Sequence, residues 1–487
     1  MGVFELKDNR MLCWDEYLVD KMVNAEVIMH HPRKTEDRII MDEEWEGAGN
    51  GAGRIFEVDG QYRFYYRSLH TMYNADGTIT HGVNPNGPYS NICLKTSVDG
   101  KHFKSIPVNK FVYNGSRYNN IVGGLPYLDE NPDCPPSEKY KALTVLSPNH
   151  ALGYCLALKV SEDGIVFTEP MKLDFPGGFD SENILLWNKD TKKYNIYYRG
   201  FHYKDGYDAG PHSIENERNN LRDVRLAETT DFVHFDLKGP LDFGEDKEDM
   251  QLYTNNIIRY PRANDMFIAM PARYHDRWQD AHNLERFPLA DKKKYMTEVF
   301  NREGTALTDC AIMTSRDGFH FNRWDEAFIT PGVQDRNNWW YGDCFPAYGI
   351  IETECDEFGA PNELSFFMNE YYKTKNTCNF RRYAVRLDGF FSWYAKYKGG
   401  EILTKPFTFI GNQLEINFAT PPCYGGMRIR ICDENGKELE GYDSRTLFGD
   451  SVDRIVDFEK DVGDLQGTPI RLKIHLKDSS LYSFRFI

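Results

Sequence analysis

Short runs of alternating apolar and polar residues recur along most of the chain. That period of two predicts strands, and few stretches show the spacing of a helix. The clearest unit is Phe179 to Gly200, FDSENILLWNKDTKKYNIYYRG. Ile184 and Leu186, then Tyr194, Ile196 and Tyr198, alternate with their neighbours and predict two strands. Asn188 to Lys193 supplies the polar turn between them. The acidic pair Asp180 and Glu182 stands at the mouth of the first strand, and Arg199 closes the second.

Two markers repeat in a fixed order. One is a turn followed by an aromatic: Val98-Asp99-Gly100 to Phe103, Glu162-Asp163-Gly164 to Phe167, Thr230-Asp231-Phe232 to Phe235, and Arg316-Asp317-Gly318 to Phe321. Leu387-Asp388-Gly389-Phe390-Phe391 is a degenerate copy. Each follows an alternating strand, and Asp-Gly is a hairpin signal. The other marker is an aromatic or apolar strand upstream, ending at Arg67, Leu146, Arg199, Arg273 and Glu370 in turn. The turns are spaced by roughly 65 to 85 residues. That is the size of a four-stranded blade with long loops. Five copies predict an all-β chain: a five-bladed β-propeller followed by a small β-sandwich.

The expected boundaries are a lead-in segment over 1–40, the propeller and catalytic domain over 41–397, and the sandwich over 398–487. After Lys398-Gly399-Gly400 the strands become short, and Asn435-Gly436 marks a hairpin. Two long loops, Tyr203–Asn220 and Asp276–Thr305, interrupt the third and fourth units. The second contains LADKKKYMTEVFNRE, a candidate short helix. Such insertions on a rigid scaffold either rim a pocket or decorate the surface.

Composition narrows the function. A net charge of -16 argues against nucleic acid or an anionic membrane as partner. No apolar run approaches the roughly 18 residues of a membrane span. The N-terminus lacks the pattern of a signal peptide. Ten scattered cysteines without a C-x-x-C pair suggest reduced thiols in the cytoplasm. The glycine-rich stretch 47–53 precedes a strand, whereas a phosphate-cradling loop opens a helix.

In a propeller the innermost strands bring carboxylates from different blades to one mouth of the channel. The candidate acids are Glu46, Asp180, Glu182, Asp309, Asp343 and Glu370. Glycoside cleavage needs one carboxyl to protonate the leaving oxygen and another as base or nucleophile. Asp180 leads because it heads an apolar strand. Glu370 follows LSFFMN, where an unpaired carboxylate is costly. Arg67, Arg199 and Arg273 end equivalent strands and would hold the carboxylates, grip a substrate anion or tie the blades together. Trp45, Tyr253, Trp339, Trp340 and Tyr341 are candidate sugar platforms or core.

The repeat set, WEG at 45–47, FDSEN, QLYTN, LTDCAIMTSRDGFHFNRWDEAFI and the junction from LDGFFS to GGEILTKPFTF resemble a group of bacterial glycosyl hydrolases of the five-bladed propeller superfamily. That superfamily includes the arabinanase, β-xylosidase, invertase and levansucrase families (families 43 and 32 among them) and the mannoside phosphorylases. The resemblance implies a glycosidase, with Asp180 as base, nucleophile or stabiliser and Glu370 or Glu46 as acid. Those enzymes open the first inner strand with an Asp. Here Glu46 and Asn50 stand near that point, and the invertase-type N-D-P-N-G, R-D-P and E-C motifs are absent.

The expected function is therefore hydrolysis of a terminal sugar, a furanoside such as an arabino- or fructofuranoside, from a small oligosaccharide or glycoside. One alternative is a glycoside phosphorylase using one carboxylic acid and arginine-bound phosphate. Another is a sugar-binding propeller without catalysis. No cofactor is expected beyond a structural divalent cation that the channel could hold. The partner is a small carbohydrate, and oligomerisation is left open.

Overall fold

The computed structural model describes residues 2–6, 10–43, 46, 49–69, 71–73, 79–81, 90–106, 122–146, 150–180, 182–206, 220–245, 247–288, 290, 293–294, 297–298, 304–372 and 378–487. The chain is nearly all β. Among the described residues, four antiparallel sheets pair their strands in chain order, and a fifth does so for its first three strands. The first holds Gly49–Val58, Gln61–Leu69, Ser90–Ser97 and Lys104–Ile106. The second holds Val122–Leu128, Tyr140–Leu146, Cys155–Ser161 and Met171–Lys172. The third holds Ile184–Asn188, Lys193–Tyr203, Asn220–Thr229 and Asp236–Pro240.

In the fourth sheet the second strand is broken. Phe267–Ala269 and Ala272–Asp276 both pair with Ala306–Ser315, and Pro271 sits in the gap between them. Pro cannot donate to a ladder, so the strand is interrupted there. Ile257–Arg259 and Phe321–Ile329 complete this sheet.

The fifth sheet differs from the sequence expectation. Ile351–Thr353, Glu363–Glu370 and Asn379–Arg386 form its first three strands, but its fourth is Arg33–Ile40. Phe391–Ala395, the strand after the degenerate turn, leaves instead and pairs with Ser479–Phe486 and Glu26–Met29. The N-terminal segment is thus built into both halves of the molecule rather than leading into one.

The repeating turn has a physical basis. Ser97, Ser161, Thr229 and Ser315 each accept a backbone N–H three residues on, from Gly100, Gly164, Phe232 and Gly318. The Asp two residues after each hydroxyl accepts the next backbone N–H groups, such as those of Lys101 and His102 from Asp99. The glycines at 100, 164 and 318 have φ of 71°, 76° and 81°. Side chains also have no room there, because a Cβ on Gly164 would lie 2.6 Å from the Tyr65 hydroxyl and one on Gly318 equally close to that of Tyr197. Each of these two turns therefore docks on the sheet before its own.

Successive sheets share buried cores. Tyr65 and Leu125 join the first two sheets, and a larger cluster from Leu143 through Ile196 to Phe267 joins the second, third and fourth. Ile312 and Phe366 join the fourth to the fifth. Ile39, Phe367, Ile55 and Phe64 then join the fifth back to the first. Because a sheet covered on both faces has no solvated side, the second strands read as nearly continuous apolar runs.

Two further sheets, of seven and six strands, carry most of the residues after 398. They enclose a cluster that includes Phe407, Ile416, Ile429, Ile474 and Phe484. The Asn435-Gly436 turn joins Gly426–Asp433 to Glu438–Asp443, with Gly436 at φ 87°.

Candidate active site

In each of the five sheets the first strand begins where the second ends, as antiparallel pairing requires. The beginnings of the five first strands are linked by hydrogen bonds. Arg54 donates to the carbonyl of Leu125 and lies 3.4 Å from both the Glu182 carboxylate and the Asn183 carbonyl. Asn255 donates to the Glu182 carbonyl at 3.0 Å, and Asn256 to that of Pro346 at 2.6 Å. The Tyr348 and Gly53 backbones close the circuit at 2.8 Å.

Glu182 sits inside this circuit. Its side chain is 8% exposed, and burial pushes its carboxyl above the ordinary range while Arg54 and Arg67 pull the other way. Arg54 lies over the Tyr127 ring at 3.6 Å. The buried Nε of Arg67 has no hydrogen-bond partner among the described residues.

Asp180, two residues earlier, is 54% exposed and accepts a 2.7 Å bond from Arg199. Arg199 is buried and also donates to the Gly178 carbonyl. Gly178 and Gly200 make this geometry. A Cβ at either would lie 2.4 Å or less from a neighbouring side-chain atom, of Phe201 in one case and of Arg225 in the other.

From Arg199 the polar groups continue sideways. Arg199 and Arg222 lie 5.5 and 5.2 Å from the Tyr253 ring centroid, and Tyr253 accepts from the Tyr341 hydroxyl at 2.5 Å. Arg222 donates to Gln251 at 2.6 Å. Gln251 lines a cavity of about 950 Å³ with Arg273, Asp276, Trp278, Asp309 and Trp339. Arg273 grips Asp309 through two bonds of 2.6 and 2.5 Å. Beside the cavity, bonds to Asp223 and Asp249 raise the His202 imidazole to about 9.

The remaining expected acids, Glu46, Glu370 and Asp343, have partners of their own. Glu46 is buried and accepts from the Tyr66 hydroxyl and the Glu43 N–H, with Lys95 at 3.3 Å. Glu370 accepts from Arg381 at 2.9 Å and Tyr383 at 3.0 Å and pairs with Lys34 at 2.6 Å. Both are anchors for neighbouring strands. Asp343 accepts the N–H groups of Trp340 and Tyr372, and burial pushes its carboxyl up to about 7. It ties a loop to the end of a strand. Trp340 is buried under Lys293. Trp45, the side chain of Asn50, most of 289–303 and residues 207–219 lie outside the described residues.

The structure brings Asp180, Glu182, Arg67, Arg199 and Tyr253 into one neighbourhood and places Arg273 and Asp309 in the adjoining cavity. The sequence reading missed Arg54, Arg222 and Asn255. Arg54 had one signal, a charge set between the glycines and the apolar pair Ile55-Phe56 of the strand Gly49–Val58. Among the described residues no group of three His, Cys, Asp or Glu side chains is placed to hold a metal ion. No described helix is long and apolar enough to cross a membrane.

No family model matches the chain, and no curated protein does. Among solved structures it is similar to the catalytic domain of an α-L-arabinofuranosidase of family GH62 from Coprinopsis cinerea, with 9% identity, a TM-score of 0.41, and coverage of 74% of this chain and 99% of that one. It is also similar to a glycosyl hydrolase from Bacteroides ovatus (13% identity, TM-score 0.39, 77% and 96% covered). A protein of unknown function from Dyadobacter fermentans covers 93% of this chain and 99% of its own, at 11% identity and a TM-score of 0.37.

Proposed function

We propose that the chain is a glycosidase built on a five-bladed β-propeller, with the sandwich after residue 398 as a second domain. The shared plan of the five sheets, their successive cores and the circuit of hydrogen bonds among the first strands support the propeller. The observation that carries the activity is the pair of carboxyls, Asp180 and Glu182, held in opposite environments. Glu182 is desolvated and raised. Asp180 is exposed and salt-bridged. Two acids whose surroundings push them apart are the arrangement that acid/base cleavage of a glycoside requires.

In this mechanism Glu182 protonates the departing oxygen and Asp180 acts as base or nucleophile at the sugar carbon. Arg199 pairs with Asp180 at 2.7 Å and aims it. The Arg273–Asp309 cavity with Trp278 and Trp339 receives the rest of the glycoside. The substrate class is a terminal furanoside. Ten cysteines with no disulfide among them support a reducing compartment such as the cytoplasm. A phosphorylase is the second reading, because Arg54 and Arg67 flank Glu182 and would suit phosphate as the attacking group.

The test is release of nitrophenol from a panel of nitrophenyl furanosides and pyranosides, with and without phosphate. Glu182→Gln and Asp180→Asn should each lower kcat/KM about 10²–10⁴-fold. Since the acid must carry its proton, activity should fall as pH rises through the raised Glu182 value. Turnover that needs phosphate selects the phosphorylase. Turnover untouched by both substitutions removes this assignment, and binding without any turnover leaves a sugar-binding propeller.

A further inference from the structure

A second groove lies in the C-terminal half, across one end of the seven-stranded sheet. It has a volume of about 510 Å³ and includes Lys398, Glu401, Tyr424, Arg428, His475 and Lys477. That is within the usual range of small-ligand sites. Gly399, Gly400, Gly425 and Gly426 form part of its wall, so backbone is open to close approach.

Tyr424 is 70% exposed and Tyr397, beside it, 58%. Their rings meet edge to face at 6.2 Å. Two tyrosines held this open on a folded domain give up apolar contact that the sandwich core, close by, would supply. An aromatic face with a hydroxyl rim suits a sugar ring, whose C–H face is apolar and whose edge is polar.

The charges select further. Arg428 is taken by Asp443 through bonds of 2.7 and 2.5 Å, and His475 lies 3.2 Å from Glu401. Burial lowers the His475 imidazole below its ordinary value, so it adds no charge near neutrality. Lys398 and Lys477 have no carboxylate partner among the described residues. Lys477 stands 4.6 Å from the Tyr397 ring centroid. In a chain of net charge -16, two unneutralised ammonium groups flanking an aromatic shelf form a local reversal of sign. Lysines act as separate point charges rather than as a fork on one anion, so they match charges repeated along a ligand.

We propose that this groove binds a carboxylated oligosaccharide, a run of uronic acid units, with a sugar ring on Tyr424 and carboxylates at Lys398 and Lys477. It is independent of the acids at Asp180 and Glu182.

The test is calorimetric titration of the full-length protein with a hexamer of galacturonic acid, beside a neutral glucose hexamer and inorganic phosphate. The expected result is uronate binding at least 10-fold tighter than that of the neutral hexamer. Tyr424→Ala should weaken it 10-fold or more, and the double change Lys398→Ala with Lys477→Ala should abolish its salt dependence. Asp180→Asn should leave it unchanged, which separates this groove from the proposed active site. Tyr424→Phe should keep it, and unaltered melting temperatures show that all variants fold. No uronate binding at millimolar concentration overturns the proposal. So does equal binding of the neutral hexamer, complete displacement by phosphate alone, or an affinity that Tyr424→Ala leaves intact.

Discussion

Glu182 and Asp343 are both buried acids with raised carboxyls, yet their surroundings give them different work. Asp343 accepts one backbone N–H at each oxygen and is buried, so the fold itself engages both ends of the carboxyl. Its effect is on stability. A carboxyl raised from 3.8 to about 7 is neutral in both folded and unfolded chains at low pH. Above its unfolded value the unfolded chain ionises first, so stability is lost as pH climbs toward about 7. Melting temperatures should therefore fall between pH 4 and 7, and Asp343→Asn should flatten that slope. A slope unchanged by the substitution would refute this account. At this scale the sequence singled out Asp180, Glu46 and Glu370 as acids beside apolar strands, but not the partners they have in the structure. Burial of an acid could be read from its apolar neighbours. The donors that satisfy it, Lys95 for Glu46 and Lys34 with Arg381 for Glu370, come from strands far away in the chain. Arg54 was missed for the same reason, since its partners lie 71 to 129 residues on.

Elements were the most readable level. The turn after each third strand is a local device, an Asp and a hydroxyl capping consecutive N–H groups, and local devices leave local signatures. What the signature did not reveal is that the turn glycine is also a docking point. Gly318→Ala would place a methyl in a left-handed conformation and against the Tyr197 hydroxyl, which accepts no such approach. The expected loss is about 1–3 kcal/mol in chemical denaturation. A loss no larger than that for an exposed alanine change elsewhere would show that the contact is slack. The same logic explains the fifth copy. Leu387-Asp388-Gly389 has the turn residues, but Asp388 itself is fully buried at φ 58° and points into the molecule. The strand that follows it therefore starts in another sheet.

At the scale of the whole molecule Asp388 is the joint. It accepts from the Tyr260 hydroxyl at 2.7 Å, from Arg262 at 2.9 Å and from Ser483 at 2.8 Å, with Arg10 at 3.5 Å. These partners come from the fourth sheet, the last strand and the N-terminal segment. Burial alone would push its carboxyl up, but the two arginines and the hydrogen bonds hold it below its ordinary value. The stability it contributes is present above the unfolded value of 3.8 and is lost as pH falls through the folded one. Asp388→Ala should cost about 1–3 kcal/mol by leaving the buried Tyr260 and Ser483 hydroxyls without their acceptor. It should also remove part of the acid-side fall in melting temperature. A near-neutral effect would mean that other contacts, such as those of Arg386 with Asn417 and Asp450, join the two halves without it. None of this was visible in the sequence, where Asp388 reads as one more turn residue.

Arg33–Ile40 carries a further implication. It leaves the ribosome well before its partner Asn379–Arg386, which is made more than three hundred residues later. Until then the early strand has no ladder to join. Its sequence, RKTEDRII, is charged enough to stay dissolved and to discourage pairing with strangers during that wait. The fifth sheet can thus gain its fourth strand only after Asn379–Arg386 has been made, so this pairing is a long-range and late step of assembly.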